Sequence, residues 1–150
     1  MSTIKTELYN YCLSTIEDKL NTINSVFDSA QSSANNETKS TAGDKHDTAR
    51  AMAHLESEKN AKQLVEITKL KRVLPYLKEH SVTSQASLGS LVITTAGNYY
   101  LSISLGKVSL NSENYMLISA VTPIGKLLIG KSVGDVVSFN NKAIKIVDLL

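Results

Sequence analysis

Asp44 and Asp47 stand three residues apart in the stretch Ala42-Gly43-Asp44-Lys45-His46-Asp47-Thr48-Ala49-Arg50. Carboxylates are hard oxygen ligands, and at i and i+3 of a helix two of them share a face. Such a pair can help hold a divalent cation and orient a water against a phosphoryl group. The same residues suit a helix start. Gly-Asp is a capping signal, and acidic side chains in a first turn offset the helix dipole. A D-x-x-D pair alone is a weak metal motif, so its chemistry depends on what carries it.

Other candidate chemistry is sparse. His46 lies beside Asp47, but His54 is eight residues on and His80 is remote, so no two histidines have helical ligand spacing. All three read as solvated or partly buried rather than as metal ligands. Cys12 is the only cysteine. It allows no internal disulfide, fits a reducing compartment, and in an apolar helical stretch reads as a small buried hydrophobe. No Ser/His/Asp or Cys/His arrangement is readable, and the glycines form no phosphate-cradling loop.

Charge and hydropathy narrow the partners. Sixteen basic and fourteen acidic residues leave a net charge of +2, which supplies no concentrated basic face for duplex nucleic acid. Lys62, Lys69, Lys71, Arg72 and Lys78 tilt one segment basic. That segment reads as a solvated face, or as a surface steering toward an acidic partner or RNA. The opening residues MSTIKTELYNYC lack a basic region followed by an apolar run, so no signal peptide is expected. No stretch reaches the roughly 18 apolar residues of a membrane span. A cytoplasmic monomer without membrane contact is expected.

Two periods divide the chain. Tyr9, Leu13, Ile16, Leu20, Ile23, Phe27 and Ala30 recur at alternating spacings of four and three, an a/d seam over three heptads. No Gly or Pro interrupts residues before 43, and SSANNETKSTAGD is small, polar and loop-like. A second helix is expected from about Asp44 to Glu79. Leu64, Ile67, Leu70, Leu74 and Leu77 line its lower part, and Ala49, Ala53, Ser57, Asn60 and Ala61 its upper part. Two helices joined by a polar connection form an antiparallel hairpin. About 30 residues of helix reach roughly 45 Å, and the thin upper seam has little to bury, so a projecting arm is expected rather than a compact bundle.

Beyond it the period becomes two. Leu91–Thr95, Tyr99–Ser104, Tyr115–Ser119, Val136–Phe139 and Lys142–Val147 read as strands, the last two joined by a turn at Asn140-Asn141. Thr122 reads as an N-cap, Pro123 as the first helical residue and Gly130 as the C′ glycine of a short helix. The fold class is α+β: a helical hairpin over 1–79 with its tip near 35–48, a linker at 80–89, and a small antiparallel sheet of about five strands with one short helix over 90–150.

The stretch Ser119-Ala120-Val121-Thr122-Pro123-Ile124-Gly125-Lys126-Leu127-Leu128-Ile129-Gly130-Lys131-Ser132-Val133-Gly134-Asp135-Val136-Val137 closely resembles a signature near the C-terminus of the Gre family of bacterial transcript-cleavage factors. The layout is similar too: a helical hairpin, a linker, then an FKBP-like sheet domain. The resemblance implies a partner, RNA polymerase, bound through the sheet domain, with Thr122, Pro123, Ile124, Gly125 and Lys126 at the docking surface. It implies a hairpin inserted into the secondary channel, in indirect contact with nascent RNA, whose tip carboxylates share a catalytic Mg²⁺ with the polymerase. Cleavage of backtracked RNA by the polymerase is then stimulated or modulated, and the resemblance implies a chain that is no enzyme in itself and has no cofactor of its own. The family's tip pattern Gly-Asp-x-x-Glu-Asn-Ala aligns with Gly43 to Ala49. Asp44 falls on its Asp and Asp47 on its Glu, one methylene shorter. Thr48 replaces Asn, and Arg50 stands where acidity is common. A Gre-like paralogue that docks and competes without cleavage is the alternative, as is an adaptor for another protein.

Overall fold

With neither Gly nor Pro to stop it, the first segment forms one helix, α1 (Thr3–Glu37), and Gly43 opens a second, α2 (Gly43–Lys71). The structure, a computed structural model, describes the backbone of residues 3–37 and 43–150 and the side chains of residues 3–28 and 54–150. The second helix stops earlier than its apolar spacing suggests and resumes as α3 (Leu74–Glu79). Pro75 is the cause. It has no N–H to give, and its ring would collide with the carbonyl four residues back, at Lys71. In the first turn of a new helix neither defect matters.

Six strands follow: β1 (Leu91–Thr94), β2 (Gly97–Leu101), β3 (Gly106–Leu110), β4 (Glu113–Ile118), β5 (Val136–Phe139) and β6 (Lys142–Leu149), with α4 (Pro123–Leu128) between β4 and β5. The sheet order is β3-β4-β2-β1-β6-β5. The sequence pattern predicts five antiparallel strands, and the sheet instead has six and is mixed. β4 folds back from β3 in an antiparallel hairpin, and its return path lies between β3 and β2. It therefore runs parallel to β2, in the register Asn98↔Tyr115 to Leu101↔Ile118. Two of the three hairpin turns use left-handed residues, Asn111-Ser112 (φ 53° and 67°) between β3 and β4 and Asn140-Asn141 (φ 51° and 62°) between β5 and β6. That backbone matches the right-handed twist of the flanking strands.

The chain divides into two compact units, Met1–Leu13 with Val73–Leu150, and Ser14–Arg72. In the first, strand alternation builds a core on each face of the sheet. Val92, Leu101, Ile118, Val137, Ile144 and Ile146 pack with Ile124 and Leu128 of α4 and with Ala86. Leu91, Tyr100 and Leu117 alternate with these and are likewise buried. Their face meets the first turns of α1. The Cys12 thiol contacts Ser102 Oγ at 4.0 Å, and Asn111 Nδ2 donates to Glu7 Oε2 at 3.4 Å. Full burial of a Leu or Ile side chain contributes about 1.5–3 kcal/mol.

The burial stripe of α1 follows from this packing. Lys5, Leu8 and Cys12, not Tyr9 and Leu13, are the fully buried residues of the first turns, because that stretch meets a sheet rather than a helix. In the second unit the heptad seam reappears. Ile16, Ile23 and Ile67 are buried, while Leu20, Phe27, Leu64 and Leu70 are half-buried. A short connection between helices that share a groove makes α1 and α2 antiparallel.

Candidate functional site

The paired aspartates fall in the first turns of α2, which begins at Gly43. Helical backbone at both positions gives the i, i+3 relation. Their side chains lie outside the described residues, as do those of His46 and of the rest of the tip assigned to 35–48, and so does the backbone of 38–42. Further along the hairpin, a groove of about 630 Å³ runs between the helices, floored by Ile23, Ile67 and Leu70 and edged by Asp18, Lys19, Lys62 and Glu66.

The Ser119–Val137 stretch is fully described, and its geometry accounts for its residue types one by one. Thr122 adopts extended backbone (φ −69°, ψ 157°). Its Oγ1 accepts from the Gly125 amide at 3.2 Å and donates to the Ser119 carbonyl at 2.8 Å. Pro123 fits the opening turn because no intrahelical partner awaits its missing N–H. At Gly125 a Cβ would run into the Ser119 carbonyl oxygen and come within 2.8 Å of Thr122 Oγ1. Gly130 ends the element in the left-handed region (φ 80°). Its amide donates to the Ala86 carbonyl at 2.8 Å, and the Ala86 amide returns a bond to the Lys131 carbonyl at 2.7 Å. Asp135 then closes a turn, its Oδ2 accepting from the Ser132 amide at 2.8 Å, and β5 begins one residue later.

Of the five residues assigned to docking, Ile124 and Gly125 are buried in the core face and Thr122 is half-buried in its cap. Pro123 and Lys126 are exposed, beside the exposed Val121 and Ile129. A surface here is therefore built by Pro123 and Lys126 and positioned by the other three.

The remaining titratable groups sort by burial. Burial pushes the Cys12 thiol up to about 11, partly offset by its contact with Ser102. That keeps it protonated and poorly nucleophilic. Tyr100 is raised further, by burial and then by Cys12 and Tyr9. His54 is exposed and sits 3.3 Å from Glu58. His80 is half-buried, and it bonds Lys5 at 2.8 Å across 75 positions of sequence. Nothing local in the sequence signals that contact. Only the isolated Lys5, on the buried side of an amphipathic turn with Leu8 and Cys12, could have pointed to it. Among the described residues no group of three or more His, Cys, Asp or Glu comes together to hold a metal. No described helix is long and apolar enough to cross a membrane.

These features define an α+β chain with a two-helix hairpin and a mixed sheet carrying a capped helix. No protein-family model and no curated protein matches it. Among solved structures it is similar to the GreA factor homolog 1 protein of Thermus thermophilus, at 19% identity over 95% of this chain and 94% of that one, with a TM-score of 0.34. So loose a superposition carries no residue role across.

Proposed function

We propose that this chain is a Gre-type regulator of bacterial RNA polymerase, acting through binding and not as an enzyme in its own right. The observation that supports it most is the Ser119–Asp135 element. Positions matching the family signature each hold the element together in their own way, through the Thr122 cap, the Gly125 close approach, the Gly130 reversal and the Asp135-closed turn. The element presents Pro123 and Lys126 outward as the docking surface.

In this reading the hairpin enters the secondary channel and brings Asp44 and Asp47 to the polymerase's active centre. Two carboxylates on the first turns of a helix are hard donors suited to Mg²⁺. They would help hold an ion shared with polymerase, which lowers the pKa of bound water and offsets charge on the cleaved phosphate. A backtracked elongation complex assayed with and without the chain tests this. Faster release of the RNA 3′ fragment is expected. No change in cleavage or pausing, together with no retention of polymerase on the immobilised chain, would sink it.

A second reading is supported by the charges near the tip. Glu37, Asp44 and Asp47 are matched by Lys39, Lys45 and Arg50, a neighbourhood that attracts a cation less than an acidic one does. There the chain docks and occludes the channel without promoting cleavage, and nucleotide addition slows in its presence.

A further inference from the structure

Lys5 is 1% exposed. Its Nζ lies 2.8 Å from His80 Nδ1, and on the far side of the ring Nε2 lies 3.2 Å from Ser87 Oγ and 3.3 Å from Ser90 Oγ. An ammonium has only protons to offer. Nδ1 is therefore the acceptor, and Nε2 carries the proton and donates to a serine hydroxyl. The imidazole in this arrangement is neutral. The ring is held from a third side as well, since a Cβ on Gly89 (φ 96°) would stand 2.6 Å from His80 Cβ. Three separate pieces of chain meet at one histidine: the first turn of α1, the C-cap of α3, and the 87–90 segment.

We propose that Lys5, His80 and the Ser87 and Ser90 hydroxyls form an acid-released latch that fastens the first turns of α1 to the 80–90 segment. A proton from solvent on Nδ1 removes the acceptor that His80 offers to Lys5 and sets an imidazolium against an ammonium. The neutral ring is the fastened state and the protonated ring the released one. The groups facing His80 are the Lys5 ammonium from α1 and the uncharged Ser87, Gly89 and Ser90 from the 87–90 segment. Lys78 and Glu79, its neighbours on α3, are exposed. Burial and then Lys5 both hold the imidazole below its ordinary value, so the fastened state binds fewer protons than the released one. Fastening is then complete above the ordinary histidine range and is lost as pH falls.

The test uses the whole chain. Imidazole signals of the native and the urea-unfolded chain are followed by NMR against pH, and amide exchange of the native chain is compared at pH 7.5 and 5.5 after correction for intrinsic rates. His80 is expected to titrate lower in the native chain than in the unfolded one. Exchange at residues 4–13 and 86–90 should accelerate on acidification, at most about tenfold per pH unit, the limit for release coupled to one proton. Exchange in β4 should change less. His80→Gln can accept from Lys5 and donate to serine at every pH, and should abolish the acceleration. Lys5→Met should raise the native His80 midpoint toward its unfolded value. The proposal is overturned if His80 titrates in the native chain with or above its unfolded value, if His80→Gln leaves the acid effect in place, or if Lys5→Met does not move the midpoint.

Discussion

Gly125 lies where a Cβ would meet the carbonyl oxygen of Ser119, with Thr122 Oγ1 a further 2.8 Å neighbour and Ala120 Cα at 3.2 Å. Two of these three atoms are backbone and cannot rotate away. Gly125→Ala should therefore cost about 1–3 kcal/mol, as overpacking does. Thr122→Ala should cost about 1 kcal/mol through loss of the cap. Lys126→Glu, at an exposed position, should stay within about 0.5 kcal/mol. Urea midpoints of the three variants check the order. Under the proposed function, Lys126→Glu should also weaken polymerase binding, by a factor that shrinks as salt is raised.

Tyr100 carries the opposite lesson. It lies on β2, the strand between β1 and β4, its ring is fully buried, and its hydroxyl has no hydrogen-bond partner. A buried hydroxyl without a partner costs about 1–3 kcal/mol. Tyr100→Phe should therefore leave stability unchanged or raise it, whereas a Tyr→Phe change that breaks a bond lowers it. A lower urea midpoint in the variant would show that the hydroxyl is satisfied in solution.

Cys12 should resist alkylation. Burial holds its thiol at about 11 against an ordinary 9.0, so near pH 8 the native chain presents almost no accessible thiolate, while the denatured chain reacts at the normal rate. The sign for stability follows from the same shift. Between pH 9 and 11 the native thiol keeps a proton that the unfolded one has lost, so stability falls as pH rises through that window. Cys12→Ala should flatten that part of the profile, read as thermal midpoints against pH.

How far the chain can be read from its letters depends on whether the cause of a feature is local. The Asn140-Asn141 turn is legible because asparagine tolerates the left-handed backbone such a turn demands. Asn111-Ser112 makes the same turn with a serine, which gives weaker notice. The strand between that turn and β2 escapes detection for a related reason. In Gly106-Lys107-Val108-Ser109-Leu110 the alternation amounts to Val108 and a half-buried Leu110, too short a run to mark a strand. The parallel pairing of β2 with β4 depends on where the returning strand inserts, which no local pattern encodes. The Thr122–Gly130 cap is legible to the residue because each signal acts within one turn of helix. The Lys5–His80 contact is not, because it joins residues 75 apart.

Asp44 and Asp47 bear most directly on function, and a double substitution separates the two readings of the tip. If the pair supports a shared Mg²⁺, Asp44→Ala with Asp47→Ala should slow cleavage of backtracked RNA by at least about tenfold, equivalent to about 1.4 kcal/mol of transition-state stabilisation. Polymerase affinity should be kept, because docking is assigned to the other unit. Asp47→Glu restores the methylene by which this chain falls short of the family pattern, and should raise cleavage above the unsubstituted chain. If the chain acts by occlusion, all three forms should slow nucleotide addition equally and none should promote cleavage. The carboxylate reading fails if cleavage is stimulated and the double variant stimulates it just as well. Raising Mg²⁺ offers an independent check, since a weakly held ion is recovered by mass action. Excess Mg²⁺ should therefore narrow the gap between the unsubstituted and doubly substituted chains, and should leave an occluding chain as inhibitory as before.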